Sequence, residues 1–144
     1  MATIKGEVAS ASSLATTELN SLANNARVLS GEYDNGSNLY LWGDFELAVG
    51  FGTAPTVDTV VSLYLVATVD GTNYEAGDAT DAARGQTFIG NLPVLGTTSL
   101  KRYTLKNIKL PLCKFKILVW NRTGQAFASS SNTLKMLPSR YQTV

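Results

Sequence analysis

The sequence contains no histidine and only one cysteine, Cys113. These absences exclude a zinc site of the Cys/His type, an internal disulfide bond, a catalytic unit of the Ser-His-Asp or Cys-His kind, and a histidine pH switch. Cys113 shares a predicted strand face with Phe115 and Ile117, so we interpret it as a small core residue. Most familiar enzyme chemistry is excluded, and we expect no enzymatic activity.

Long apolar runs are missing as well. The longest, around residues 60–69 and 117–120, are far shorter than the roughly 20 residues that a membrane-spanning helix needs. Residues 1–22 hold no continuous apolar run and a single positive charge, Lys5, so we expect no signal peptide. These features predict a protein that is soluble when made and that has no membrane partner.

The residues that are plentiful favour strands and turns. Apolar side chains make up 44 % of the 144 residues and charged ones only 16 %, which is typical of a single globular domain. Serine and threonine together supply 28 residues, while glycine and asparagine supply 12 and 10. These residue types are common in strands and in turns. The two glycosylation patterns at 35–37 and 121–123 are interpreted as turns, because no secretory signal precedes them.

Alternation of apolar and polar residues marks the predicted strands. Two long strands are expected over residues 38–50 and 59–69. Their predicted inward residues are Leu39, Leu41, Phe45, Leu47, Val49, Val61, Leu63, Leu65, Ala67 and Val69. Shorter alternating segments lie at 86–94, 99–105, 113–120, 125–130 and 133–137. About seven or eight short strands predict an all-β fold, an antiparallel β-sandwich with jelly-roll or Greek-key connections.

Two further features are expected near the N-terminus. Residues 1–13 are small and polar, and we interpret them as an extended arm that contacts another subunit, because they offer no core of their own. Residues 16–25 combine Thr16, a candidate N-cap, with apolar residues at helical spacing from Leu19 onward, which predicts one short amphipathic helix. The single sandwich domain is expected to span residues 14–144.

Charge is distributed unevenly along the chain. All eleven acidic residues lie between Glu7 and Asp81, whereas nine of the twelve basic residues follow residue 100. The net charge is 3 − 11 = −8 for residues 1–100 and +9 for residues 101–144. Such a split either attracts a partner or another copy of the chain, or lets basic strands neutralise acidic strands within one fold. No dense basic cluster, RNP-like motif or phosphate loop is present, so no nucleic-acid partner is expected.

Two groups of acidic residues could carry chemistry. Asp44 and Glu46 lie two residues apart on one strand face, a separation that a glycosidase pair could use, but such pairs are far more often solvent-exposed. The loop over residues 70–81 holds several oxygen ligands without the spacing of a calcium-binding loop, so we interpret it as a solvated acidic loop. We expect no cofactor and no metal.

Several stretches of strand and turn sequence carry a recognisable pattern. They are NLYLWGDFEL (38–47), LYLV (63–66), DGTNY (70–74), LPLCKFK (110–116), NRTGQA (121–126) and SNTL (131–134). Together they resemble a family of small virion proteins of tailed bacteriophages, over a region from about residue 14 to residue 137. None is a catalytic signature. The chain departs from the pattern at Leu112, where the family often has a second proline, a difference that bears on the local bend.

The resemblance implies a capsid cement or decoration protein, a β-sandwich that sits on the shell of major capsid protein and ties neighbouring capsomers together. It implies synthesis in the host cytoplasm, a place on the capsid surface of the virion, and partners that are the major capsid protein and copies of the same chain, as a dimer or trimer. It implies no substrate and no cofactor. The alternatives are a tail or baseplate component, a carbohydrate-binding module that stacks sugars on Tyr40, Trp42 or Trp120, and a calcium-assisted hydrolase.

The predicted partner-binding residues combine the arm with the basic strands. Tryptophan is enriched at interfaces, so Trp120 among lysines indicates a contact surface, although it could also pack under the arm or helix of its own chain. The predicted set is Ile4, Lys5, Lys101, Arg102, Lys109, Lys114, Lys116, Leu118 and Trp120. If the basic residues face a neighbour, attachment should weaken as the salt concentration rises.

Overall fold

The computed structural model describes residues 2–76, 80 and 87–144. These residues form ten β-strands and one turn of 3-10 helix at Thr17–Leu19. The strands are β1 (Ile4–Val8), β2 (Ser12–Ala15), β3 (Arg27–Leu29), β4 (Tyr33–Asp34), β5 (Trp42–Val49), β6 (Val60–Ala67), β7 (Thr87–Pro93), β8 (Lys101–Lys109), β9 (Lys114–Arg122) and β10 (Thr133–Thr143).

All strand pairs are antiparallel, and they build two sheets. Sheet I has the order β1-β10-β5-β8, and β2 pairs with β10 on the same edge as β1. Sheet II has the order β3-β9-β6-β7, and β4 pairs with β9 on the same edge as β3. Each sheet is therefore four strand positions wide, with one edge broken into two segments. The all-β, two-sheet class predicted from the sequence is confirmed.

An apolar core lies between the two sheets. Its main side chains are Phe45, Leu47 and Val49 of β5, Leu134 and Met136 of β10, Val61, Leu63 and Leu65 of β6, and Phe115, Ile117 and Val119 of β9. All of them are buried, as the alternation in the sequence predicts. The intervening residues of the same strands form the outer faces of the two sheets.

The strand predicted over residues 38–50 begins later than expected, at Trp42. Leu39 and the leucine two residues after it are exposed rather than inward, and Leu39 has a positive φ of 55°. The cause is the buried side chain of Asn35, whose Nδ2 donates to the Tyr40 carbonyl and whose Oδ1 accepts the Tyr40 N–H. These bonds compete with a strand ladder and hold the segment as a loop.

The short helix predicted over residues 16–25 is not formed, and a single 3-10 turn at Thr17–Leu19 stands in its place. Ser21 and Asn25 take positive φ values of 58° and 62°, which a continuous helix does not accommodate. Their N–H groups donate to carbonyl oxygens outside the segment. Tertiary hydrogen bonds therefore replace helical ones, while Leu19 is still buried.

The N-terminal residues are extended and lie along their own chain. β1 pairs with β10 from Ile4 opposite Thr143 to Val8 opposite Ser139, and β2 continues along the same edge. One side of the segment is thus already occupied by its own sheet. Contact of residues 1–13 with another subunit stays a prediction, and it concerns the side of β1 that faces away from β10.

Candidate interaction surface

The predicted partner-binding residues lie in three separate places. Lys101, Arg102 and Lys109 belong to β8 at one edge of sheet I, Ile4 and Lys5 belong to β1 at its other edge, and Lys114, Lys116, Leu118 and Trp120 belong to β9 inside sheet II. The structure therefore does not bring them together on one surface. Leu118 is fully buried, so it offers nothing to a partner in this conformation.

The outer face of sheet II is covered by side chains of its own chain. Trp120 lies beside the guanidinium groups of Arg27 and Arg122, each 4.8 Å from the centroid of the indole ring. Tyr64 on the neighbouring strand adds a ring 6.4 Å from that of Trp120. We call this surface the covered face, and it comprises Arg27, Tyr64, Val66, Leu118, Trp120 and Arg122. Its aliphatic members, Val66 and Leu118, have no solvent exposure.

A polar cluster extends the covered face toward the start of β9. Lys116 Nζ lies 4.5 Å from the centroid of the Tyr74 ring, the Tyr74 hydroxyl donates to the Glu32 carboxylate, and Lys114 Nζ lies 3.4 Å from Glu32 Oε1. The hydrogen bond from Tyr74, with a smaller influence of Lys114, lowers the pKa of Glu32. Burial and the same hydrogen bond raise the pKa of Tyr74. Both lysines therefore have partners within the chain.

Ion pairs join the basic end of the sequence to its acidic beginning. They are Arg102 with Glu46 (3.2 Å), Lys114 with Glu32 (3.4 Å) and Arg140 with Glu7 (2.5 Å), each measured from nitrogen to oxygen. In every case the base follows residue 100 and the acid precedes residue 50. The charge split of the sequence is thus partly neutralised inside one fold. Because these pairs are partly exposed, each contributes little to stability.

The outer face of sheet I is left open. Tyr141 is 66 % exposed, Val8 is 63 % exposed and Trp42 is 38 % exposed. The register places Val8 opposite Ser139, Ser139 opposite Trp42, and Tyr141 opposite Gly6. A groove of about 390 Å³ lies among these residues. We call this surface the open face, and it comprises Ile4, Gly6, Val8, Trp42, Leu137, Ser139 and Tyr141.

Arg140 fixes one wall of the groove. Its Nη1 donates to the Asn38 carbonyl at 2.6 Å, its Nε donates to Glu7, and its guanidinium lies 5.1 Å from the centroid of the Tyr40 ring. The hydrogen bond to Glu7 is the main cause of the raised pKa of Arg140. These contacts occupy the charged groups of the wall, and the surface that the groove offers is mainly apolar.

Asp44 and Glu46 line a second depression of about 250 Å³ on the same side of sheet I, together with Lys135. Asp44 Oδ1 accepts the N–H of Asn107 at 2.8 Å, at the β-bulge where β8 passes β5, and Asn107 has a φ of 58°. Glu46 is paired with Arg102. Each carboxylate therefore has a partner within the chain, and we interpret the two residues as part of the strand face and not as a glycosidase pair.

Asp70 is used within its own turn. Its Oδ1 accepts hydrogen bonds from the backbone N–H groups of Thr72 and Asn73, and its Oδ2 accepts a hydrogen bond from Asn73 Nδ2. These bonds, those from Asn73 first, lower the pKa of Asp70. Asp78 and Asp81, the later acids of the predicted loop, lie outside the described residues. Within the described part of the chain, no three His, Cys, Asp or Glu side chains are placed to hold a metal ion.

The asparagines of the two glycosylation patterns, Asn35 and Asn121, are fully buried. Asn121 Nδ2 donates to the carbonyl groups of Leu22 and Gln125, and its Oδ1 accepts from the Thr123 N–H and hydroxyl. This network holds the end of β9 against the segment that follows the 3-10 turn. Both motifs are therefore structural, and neither asparagine is accessible in the folded chain.

The sequence prediction missed the residues that the last strand adds to the groove. Strand material was expected to end at Leu137, whereas β10 continues to Thr143 and places Ser139 and Tyr141 on the open face. The stretch from Leu137 to Thr143 does not alternate apolar and polar residues, and Pro138 argues against a strand interior. Pro138 is accepted here because its nitrogen, which lacks a hydrogen, faces the gap between β1 and β2 and not the ladder with β5. On that same side its carbonyl accepts the N–H of Ala9, the residue that follows β1.

Comparison of the chain with protein-family models and with curated proteins finds no match. Among the described residues, no helix is long and apolar enough to cross a bilayer. A function is therefore inferred from the two outer faces, of which one is covered and one is open.

Proposed function

We propose that this chain is a non-enzymatic structural protein of a virion, most specifically a capsid cement or decoration protein that binds the major capsid protein and stabilises contacts between capsomers. It is made in the host cytoplasm and taken up on the capsid surface. The observation that carries the proposal is the open face of sheet I, which leaves aromatic and aliphatic side chains exposed beside a groove. The resemblance to small virion proteins of tailed bacteriophages supports it.

The open face has the composition of a contact surface. Trp42 and Tyr141 are aromatic residues of the kind that anchor protein interfaces, and Val8 and Leu137 add aliphatic area around them. Single contacts of this size are weak, but a shell presents many equivalent sites, and links between copies raise the total affinity. A rigid sandwich with one adhesive face is sufficient for such a role.

We further propose that the sandwich is a jelly roll. When each broken edge is counted as one strand position, the first position (β1 and β2) pairs with the last (β10), and the second position (β3 and β4) pairs with the last but one (β9). The third and sixth positions, β5 and β8, complete sheet I, and the fourth and fifth, β6 and β7, complete sheet II. This inward-winding order supports the double Greek key of a jelly roll, which both capsid and lectin domains use.

The test is binding to shells assembled from the major capsid protein of the virus that encodes the chain. We expect saturable retention of the wild-type chain and a loss of about tenfold in apparent affinity for the double variant Trp42→Ala/Tyr141→Ala. The matched control is Phe88→Ala, which removes an exposed aromatic residue from β7 at the edge of sheet II. Absence of retention on the shell, with density for the chain on the tail of whole particles, would replace the cement role by a tail or baseplate role.

A carbohydrate-binding module is the second candidate, and the same groove favours it. Trp42 and Tyr141 could stack against sugar rings, and Asn107 and Ser139 supply polar groups beside them. Trp120, another aromatic residue considered for stacking, is held by two arginines of its own chain. Glycan-array binding by the purified chain, abolished by Trp42→Ala, would favour this function. Binding to bare capsid shells would not be expected from it.

A further inference from the structure

β1 is the outermost strand of sheet I, and the ladder defines which of its backbone groups are used. Thr3 and Val144 exchange both backbone hydrogen bonds, which fixes the phase of the pairing between β1 and β10. Because hydrogen-bonded pairs alternate along an antiparallel ladder, Lys5 and Glu7 also direct their N–H and C=O groups toward β10.

The N–H and C=O groups of Ile4, Gly6 and Val8 consequently point away from the sheet. None of them has a backbone partner among residues 2–76, 80 and 87–144. Ile4 is 73 % exposed and Val8 is also largely exposed. β1 therefore presents an unpaired strand edge flanked by apolar side chains, which is a template for strand addition.

The sequence of β1 is complementary to that of a second, antiparallel copy of β1. When a second β1 is placed antiparallel about Gly6, Ile4 lies opposite Val8 of the second copy, Gly6 lies opposite Gly6, and Val8 lies opposite Ile4. Each of these residues has outward backbone groups, so the three pairs form about six hydrogen bonds. The apolar side chains meet on the open face, and glycine on the axis leaves room there.

Charge supports the same register. Lys5 lies opposite Glu7 of the second copy, and the two-fold symmetry produces this contact twice. Lys5 is exposed and has no ion pair with any described residue, while Glu7 is held in place by Arg140. Opposite charges directly across an antiparallel pair are favourable, whereas like charges there are unfavourable.

We propose that two copies of this chain associate through β1, edge to edge, about a two-fold axis at Gly6. The resulting dimer joins the two copies of sheet I into one continuous sheet and places both open faces on the same side of it. The contact is isologous and uses up the edge, so this surface makes a dimer and not a trimer. The inference does not depend on the virion role, because it concerns the purified chain alone.

Disulfide trapping tests the axis. In a Cys113→Ser background, Gly6→Cys places two thiols on the axis, where the Cα atoms of a hydrogen-bonded pair are about 5.5 Å apart, within disulfide range. A Cβ at Gly6 meets no atom within 4 Å, so the variant chain accommodates the change. We expect cross-linked dimer on oxidation of Gly6→Cys.

The matched control is Ile4→Cys, whose two copies lie roughly 13 Å or more apart in this register. It should not cross-link with itself, but a mixture of Ile4→Cys and Val8→Cys chains should. Equal cross-linking of Gly6→Cys and Ile4→Cys would overturn the proposed register. A wild-type chain that sediments as a monomer at millimolar concentration would overturn the dimer.

Charge reversal supplies an independent test. Lys5→Glu alone and Glu7→Lys alone each create two like-charge contacts, and we expect several-fold weaker self-association of either variant. Mixing the two variants restores opposite charges at both contacts, so the mixed dimer should form more readily than either homodimer. A mixture that associates no better than its components would contradict the proposed pairing.

Discussion

The two outer faces of the sandwich differ in whether their large side chains are covered by other side chains of the same chain. On the covered face, Trp120 is placed beside two arginines, and Leu118 has no solvent exposure. On the open face, Trp42 and Tyr141 remain exposed, and both line a groove. Both faces carry a tryptophan and a tyrosine on neighbouring strands, Trp120 and Tyr64 on the covered face and Trp42 and Tyr141 on the open face. What separates them is whether other strands supply cations and rings to cover the aromatic residues.

This difference shows which aromatic residues are part of the fold and which are available to a partner. Burying an aromatic side chain against its own chain stabilises the fold and leaves little to gain from binding. An aromatic residue that remains exposed contributes little to folding and can contribute to association. The same residue type therefore predicts opposite phenotypes on the two faces.

The largest expected contrast comes from truncating the two tryptophans. Trp120→Ala removes a partly buried ring with two cation–π contacts, and we expect it to lower the free energy of unfolding by about 2–3 kcal/mol. Trp42→Ala removes a more exposed ring, and its loss should stay below about 1 kcal/mol. Chemical denaturation measures both values. Equal losses would show that the open face is as much a part of the fold as the covered face.

Tyr74→Phe probes the polar cluster of the covered face, with an expected loss of stability less than half of that for Trp120→Ala. Because the pKa of Glu32 is lowered, this contact stabilises the fold above the ordinary carboxyl pKa of 4.5 and is lost as pH falls through the lower folded value. Because the pKa of Tyr74 is raised, its contribution is complete below pH 10.0 and declines above it. The difference between wild type and variant should therefore be constant from about pH 5 to 9 and shrink on both sides.

Unfolding measured across this pH range checks both signs. Tyr141→Phe, on the open face, is the control, since Tyr141 makes no hydrogen bond with a described residue through its hydroxyl. A difference for Tyr74→Phe that grew in acid would contradict the assigned hydrogen bond.

The sequence predicted the parts of this contrast that depend on local periodicity. Alternation identified the inward residues of β5 from Phe45 onward and those of β6 and β9, because a period of two is visible without knowing the partner strand. It failed at Leu39, where the buried amide of Asn35 imposes a loop. It failed also at Val69, which lies beyond the end of β6 and is fully exposed. It also missed the pairing of β1 with the end of β10, because contacts between the two ends of a chain leave no periodic signal.

The contacts that cover the outer face of sheet II could not be predicted from the sequence either. Lys116 belonged to the predicted partner-binding set, and it instead contacts the ring of Tyr74. Arg122, which was not in that set, contacts the ring of Trp120. Such contacts depend on register across the sheet. The sequence also allowed basic strands to neutralise acidic strands within one fold. The three ion pairs described above confirm this interpretation for the residues that form them.

A smaller effect is expected from single cations of the covered face. Arg122→Gln removes one of the two guanidinium groups beside Trp120, and we expect a loss of about 0.5–1 kcal/mol. Lys109→Gln, on the edge strand β8, is the matched control and should change stability by less than about 0.5 kcal/mol. If Lys109→Gln proved the more damaging change, the basic edge of sheet I would have a structural role that its contacts do not indicate.

The smallest effect is expected for Arg102→Gln, which breaks the ion pair with Glu46 beside the open face. Its side chain is 63 % exposed, so the pair gains little from Coulomb attraction, and we expect a loss of at most about 0.5 kcal/mol at low salt. Salt screens the attraction, and the difference from wild type should vanish near 1 M, where the Debye length falls to about 3 Å. Arg122→Gln should keep most of its effect at that salt concentration, because the guanidinium packs against a partly buried ring. A salt-sensitive Arg122→Gln together with a salt-insensitive Arg102→Gln would reverse the assignment, and the open face would then be the one that the chain's own charges hold in place.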